Sequence, residues 1–107
     1  MPGVYTVTQM NSYIKNMFRQ DFVLSRISVK GEVSNCKYHT SGHIYFSLKD
    51  GQGVMSAIMF AGSAKNLEFR LENGMQVIVS GRIDVYERDG KYQLYANAIE
   101  ADGQGDL

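Results

Sequence analysis

A chain of 107 residues in which 44% of the side chains are apolar can fill one compact core and not two. Eleven Lys and Arg against eleven Asp and Glu leave no formal net charge, which excludes a whole-protein field toward nucleic acid or an anionic membrane and makes any such attraction local. With no apolar run of bilayer length, no signal-peptide order at the N-terminus and a single cysteine, Cys36, the expectation is a cytoplasmic protein with no membrane partner, held by its core rather than by disulfides.

Residues 8–20 place Met10, Ile14, Met17 and Phe18 on one side of a helix. Thr8 is the expected N-cap, but Asn11 stands where Glu or Gln would complete a capping box, so the helix is expected to depend on docking its apolar face. The period then changes to two. Residues 24–35 read as a long strand with Ile27, Val29 and Val33 on one face, interrupted by Gly31, and a glycine inside a strand marks a bend or bulge. Residues 43–49 alternate cleanly, Ile44, Phe46 and Leu48 inward and His43, Tyr45, Ser47 and Lys49 outward, and Asp50-Gly51 supplies a hairpin turn.

Residues 54–60 follow with Met55, Ala57 and Met59 inward and Ser56, Ile58 and Phe60 outward. Residues 61–71 carry Ala64, Leu67 and Leu71 at helical spacing and close at Asn73-Gly74. Residues 75–87 bury Val77, Val79, Ile83 and Val85 around a second mid-strand glycine, Gly81, and Asp89-Gly90 turns the chain into a last strand over 91–101. The fold class is therefore mainly β: a five-stranded Greek-key barrel of the oligonucleotide/oligosaccharide-binding (OB) kind, with an N-terminal helix and a short helix between strands three and four. An open α+β sheet accounts for the glycine bends less well. The whole of 1–107 is expected to be one domain, with the helix at 8–20, the barrel at 24–101 and the acidic, glycine-rich 102–107 beginning a linker.

Fold alone does not assign function, so the residues must. Between Arg26 and Lys49 the cations Arg26, Lys30, Lys37 and Lys49 face the single carboxylate Glu32, while the stretch from Gln93 onward holds Glu100, Asp102 and Asp106 with no cation. One part of the molecule is thus positive. Tyr38, His39, Ser41, His43, Tyr45 and Lys49 lie on or beside the outer face of the second strand, with Lys37 just before them and Phe60 on the neighbouring strand. Exposed rings beside cations are what single-stranded nucleic acid requires, since bases stack on the ring faces while the cations follow the phosphates. The alternative is that Tyr45 and Phe60 merely pack against the N-terminal helix or a loop.

The hairpin between strands four and five adds Arg82, Tyr86, Arg88, Lys91, Tyr92 and Tyr95 as a second wall, with Arg82, Arg88 and Lys91 the candidate contacts. Asp84, Glu87 and Asp89 balance its charge, so an ordinary solvated hairpin reads equally well. Cys36, His39 and His43 spell C-x-x-H-x-x-x-H. Structural zinc takes four ligands and no fourth is evident, so neither metal nor cofactor is expected. An acid–base role for the histidines lacks an accompanying nucleophile or carboxylate cluster. They are read as donors to phosphate or partners in stacking, and no catalytic residue is assigned.

The runs G-E-V-S-N at 31–35 and S-G-H-I-Y-F-S-L-K-D at 41–50, with Met59-Phe60, resemble the N-terminal domain of the bacterial exodeoxyribonuclease VII large subunit. So do V-Y-T-V-T-Q-M-N-S-Y-I at 4–14, D-G-K-Y-Q-L at 89–94 and D-G-Q-G-D-L at 102–107. The resemblance covers nearly the whole chain. It implies an OB-fold that binds single-stranded DNA, with the nuclease centre and the helices that gather the small subunit lying elsewhere in the polypeptide. It implies a parent enzyme that degrades single-stranded DNA from either end to oligonucleotides, without a strict need for divalent metal, in DNA repair. Ser41, Gly42, His43, Tyr45, Phe46 and Lys49 match the motif by position, Phe46 belonging by phase to the core. Ser28 stands near the place where the family often has Trp, so one stacking platform is missing. The rival expectation is a protein-interaction module whose aromatic face docks on the parent's catalytic region or another subunit.

Overall fold

The computed structural model describes Gly3–Asp102. Its first helix, α1 (Val7–Gln20), is capped two residues before the expected Thr8. Thr6 is the N-cap: its hydroxyl accepts from the Gln9 amide at 3.0 Å, and the Gln9 carboxamide oxygen accepts from the Thr6 amide at 2.9 Å. The capping box is complete, two residues before the Thr8 and Asn11 at which the sequence showed an incomplete one.

The face of α1 that docks also differs from expectation. Of the apolar set, Phe18 turns inward, its ring 6.2 Å from that of Tyr92, while Met10, Ile14 and Met17 remain between 39% and 56% exposed. The docking residues are polar. Asn11 Nδ2 donates to the Glu87 carbonyl at 3.0 Å, Ser12 bonds the Glu87 carboxylate, and Lys15 Nζ donates to the Val85 carbonyl at 2.7 Å. The helix lies along a hairpin whose near side presents carbonyls and carboxylates, and such groups must be paired when covered. Asp21 then caps a one-turn helix, α2 (Phe22–Ser25), through Oδ1, which accepts from the Val23 and Leu24 amides at 2.9 and 3.0 Å. This turn occupies the start of the expected first strand.

Five strands follow: β1 (Ile27–Tyr38), β2 (Ile44–Lys49), β3 (Val54–Met59), β4 (Gln76–Tyr86) and β5 (Lys91–Ala101). They close as a barrel in the order β1-β2-β3-β5-β4, the Greek-key arrangement expected. β1 serves two ladders, pairing with β4 over Ile27 to Glu32 and with β2 from Glu32 onward. Gly31 sits at the change of partner, where a Cβ would lie 2.8 Å from Leu48 Cγ. Val33, Ile44, Phe46, Leu48, Val77, Val79 and Leu94, each at most 4% exposed, fill the interior. Gly81 marks the closest backbone approach: a Cβ there would lie 2.0 Å from the Tyr95 carbonyl oxygen.

Two expectations about the connections change. The β2–β3 link is a four-residue loop whose Asp50 Oδ1 accepts from the Gln52 and Gly53 amides at 2.9 and 2.8 Å, so the aspartate rather than Gly51 shapes it. The helix expected over 61–71 is a single turn, α3 (Ala61–Ala64). Beyond it the Tyr38 hydroxyl accepts from the Leu71 amide at 2.8 Å and donates to the Leu71 carbonyl at 3.1 Å, taking both backbone groups that a continued helix would use. Ile58 lies on the outer phase as expected but is 6% exposed, because it stands between Tyr45 and Tyr95 in the sheet. Of the expected linker start at 102–107, the Asp102 amide donates to the Gln76 carbonyl at 2.9 Å; 103–107 lie outside the described residues.

Asp84 is the one buried charged residue among those described, 3% exposed. Its Oδ2 lies 3.5 Å from Lys15, 3.4 Å from Arg19 and 3.9 Å from Arg82, and its Oδ1 accepts from the Val85 amide at 2.8 Å. Burial alone raises its pKa, but the Val85 amide with Lys15 and Arg19 outweighs burial and holds the carboxyl below its ordinary value. A carboxylate with a depressed folded value contributes stability in full above its unfolded value of about 3.9, and that contribution fades as pH falls through the lower folded value. Asp84→Asn is therefore expected to cost about 2 kcal/mol at neutral pH. It should also flatten the acid-side loss of stability below about pH 4. Thermal melts of both proteins across that range measure the two effects together.

Candidate nucleic-acid interface

One row of side chains wraps the outside of the barrel across all five strands. Lys37 of β1 pairs with Tyr45 of β2, Tyr45 with Ile58 of β3, Ile58 with Tyr95 of β5, and Tyr95 with Arg82 of β4. Registered neighbours share a sheet face, so the row reads cation, ring, aliphatic floor, ring, cation. The Arg82 guanidinium carbon lies 4.7 Å from the centre of the Tyr95 ring, and the Gln93 carboxamide donates to the Tyr95 hydroxyl at 2.8 Å. Both tether that ring in place.

A second tier of rings flanks this row. His43 lies with its centroid 6.4 Å from Tyr45 and 5.2 Å from Phe60, Phe60 lies 5.9 Å from Tyr95, and His39 lies 6.1 Å from Tyr45. The contacts through the histidines are edge-on, with interplanar angles of 73° to 78°. Edge-on pairing braces each ring against its neighbour. Tyr45 is 41% and Phe60 45% exposed, so both retain open surface.

Backbone donors hold the imidazoles. His43 Nδ1 accepts from the Ala61 amide at 2.9 Å, and His39 Nδ1 accepts from the Ser41 amide at 3.1 Å and lies 2.8 Å from the Ser41 hydroxyl. An imidazole whose Nδ1 accepts carries its ring proton on Nε2, where it remains a donor. Ser41 braces the β1–β2 loop, its oxygen also accepting from the His43 amide at 3.4 Å.

The expected site residues thus divide. Lys37, His39, His43, Tyr45, Phe60 and Arg82 come together with Ser41 behind them. Lys49 shares the face but sits at the far end of β2, 3.8 Å from the Glu32 carboxylate. Lys91 shares the Tyr95 face four residues earlier on β5, about 13 Å away at the usual strand rise, and Arg88 is exposed in the turn between β4 and β5. Tyr38 stands apart: it pairs with Ile44, its hydroxyl is fixed to Leu71, and Arg70 lies 4.3 Å over its ring. Tyr95, named in the second wall but not among its candidate contacts, and Ile58, expected only to face outward, are central. Their place depends on the parallel pairing of β3 with β5, which no local spacing reveals. Cys36 aims at the Leu71 carbonyl, 3.6 Å from Sγ, and burial raises its thiol above the ordinary value against the pull of Arg70. Among the described residues no three His, Cys, Asp or Glu side chains gather in a group able to hold a metal.

Rings with exposed surface, flanked by cations and by imidazole donors, suit stacked bases and a phosphate backbone and offer no pattern for reading base edges. Residues 5–100 match the family described as the OB-fold nucleic acid binding domain. The chain is 67% identical over 105 residues to the exodeoxyribonuclease 7 large subunit of Lachnoclostridium phytofermentans, covering 98% of this chain and 26% of that protein. It is 55% identical over 102 residues to the protein of that name from Clostridium botulinum strain Okra, covering 95% and 25%. It therefore spans about a quarter of the length of these relatives. Among solved structures, a replication protein A heterotrimer bound to ssDNA superposes with a TM-score of 0.58 at 17% identity, covering 73% of this chain and 57% of that one. Asparaginyl-tRNA synthetase from Pyrococcus horikoshii superposes at 0.56 with 20% identity, covering 72% and 19%. At these identities the likeness extends to the fold alone.

Proposed function

Because this chain belongs to the OB-fold nucleic acid binding domain family, we propose that it is the single-stranded-DNA-holding module of an exodeoxyribonuclease VII large subunit, presenting the strand to a hydrolytic centre outside these residues. The observation that carries this reading is the row Lys37, Tyr45, Ile58, Tyr95, Arg82. Bases stack on Tyr45, Phe60 and Tyr95, phosphates pass Lys37 and Arg82, and Lys91 extends the track along the hairpin. The names of the relatives support the parent activity. In this reading the small subunit joins through regions outside this chain, and the assembly works in the cytoplasm.

Fluorescence anisotropy of a labelled oligothymidine, titrated at several salt concentrations, tests the proposal. The logarithm of the association constant should fall linearly with the logarithm of salt, with a slope of about 0.7 per phosphate contacted. Lys37→Ala with Arg82→Ala should reduce that slope by about 1.4. Affinity for the oligomer that is absent, or that ignores salt in both proteins, would favour the protein-docking role for the same face.

A further inference from the structure

We infer that the hollow beside Tyr38 is a second nucleotide subsite, in which Arg70 and Lys65 take the phosphate of a residue beyond the ring row. The inference rests on the strand-binding reading above and extends its footprint. The cavity measures about 530 Å³ and is walled by Tyr38, Gly42, Ala61, Lys65, Phe69 and Arg70, within the range of small-molecule sites.

Its aromatic wall is rigid. Both Leu71 backbone groups hold the Tyr38 hydroxyl, which fixes the ring at one end, and the Arg70 guanidinium lies 4.3 Å over its face. A guanidinium held by a ring keeps its hydrogen-bonding fork available, and that fork matches phosphate. Arg82 stands over Tyr95 in the same way at the opposite side of the ring row. Among the described residues no carboxylate lies within ion-pairing distance of Arg70 or Lys65, although Glu72 is near enough, with Arg70, to influence Cys36. The segment that carries them also sorts its charges: Glu68 lines a different groove, which it shares with Asn97 and Glu100.

The hollow adjoins the ring row directly. Gly42 and Ala61 form its near wall, and the residues next to them, His43 and Phe60, belong to the second tier. The Ala61 amide is the group bonded to His43 Nδ1. Gly42, at φ +95°, packs so closely on Ala61 that a Cβ would come within 3.0 Å of the Ala61 methyl group. A strand leaving Phe60 past His43 therefore meets this hollow next.

The test compares oligothymidines of about 4 and about 12 nucleotides, spanning the known site sizes of such barrels, by anisotropy with the 107-residue chain. Arg70→Gln with Lys65→Ala should weaken the longer oligomer about 10-fold and lower its salt slope by about 1.4, with the shorter one changed less than about 2-fold. Arg70→Lys should retain more affinity than Arg70→Gln, since it keeps the charge. Equal losses for both lengths, or no loss for the longer one while Tyr45→Ala still weakens it, would overturn the subsite and leave the strand-binding function standing. Failure of the unsubstituted chain to bind either oligomer would remove both.

Discussion

Tyr45→Ala is expected to weaken oligothymidine binding about 30-fold, the equivalent of ~2 kcal/mol for one lost base stack. Phe60→Ala is expected to do the same. Tyr45 occupies the middle of the row and keeps an open face, while Phe60 is the ring in contact with both His43 and Tyr95. Removing Phe60 takes away one platform and a brace of two others, so the double variant should lose less than the product of the single losses, as coupled neighbours do. Tyr45→Phe keeps the flat face and should bind within a few-fold of the original. Circular dichroism should be unchanged in each variant, since neither ring belongs to the buried core. Undiminished affinity in Tyr45→Ala and Phe60→Ala would place the binding face elsewhere.

Gly81→Ala should be the most damaging single-methyl change in the chain. The added carbon would fall 2.0 Å from the Tyr95 carbonyl oxygen and 3.1 Å from the Ala96 Cα, both backbone atoms of the paired strand, so no side-chain rotation relieves it. The two strands must separate where their register already shifts between Ser80 and Gly81. Overpacking of this kind costs about 3 kcal/mol or more. In a domain of this size that lowers Tm by at least about 12 °C. Gly62→Ala is the matched control: nothing lies within 4 Å of the added carbon, it sits within α3, and alanine there should be neutral or stabilise by up to about 1 kcal/mol. Differential scanning calorimetry of the two variants should show shifts of different size, and opposite sign if the helical gain is realised. A Gly81→Ala protein as stable as the original would mean that β4 and β5 do not cross so closely.

The barrel was legible in the sequence because its signals are local. The alternation of Ile44, Phe46 and Leu48, the bends at Gly31 and Gly81 and the turn at Gly90 each follow from one residue's geometry or a period of two. The Asp21 cap was equally local, and its side chain ahead of Phe22 would have marked α2. The docking face of α1 was not legible. Its apolar stripe obeys the usual rule for a buried helix face, but the hairpin beneath presents the Val85 and Glu87 carbonyls and two carboxylates, and matching them outweighed hiding Met10, Ile14 and Met17. The interface was half legible. Strand parity placed Tyr45, Ile58 and Phe60 outside, whereas Tyr95 joins them only through barrel closure, a long-range pairing that leaves no trace in local spacing.

That closure is also the thinnest seam of the barrel. Among the described residues, β3 and β5 register through Ala57 with Leu94 and Ile58 with Tyr95, a much shorter run than the ladders on either side. A polymer resting on Tyr45 and Tyr95 bridges this seam from outside, like a clasp over a short stitch. Whatever free energy opens the barrel there must then also peel the polymer away, so cargo and container reinforce each other.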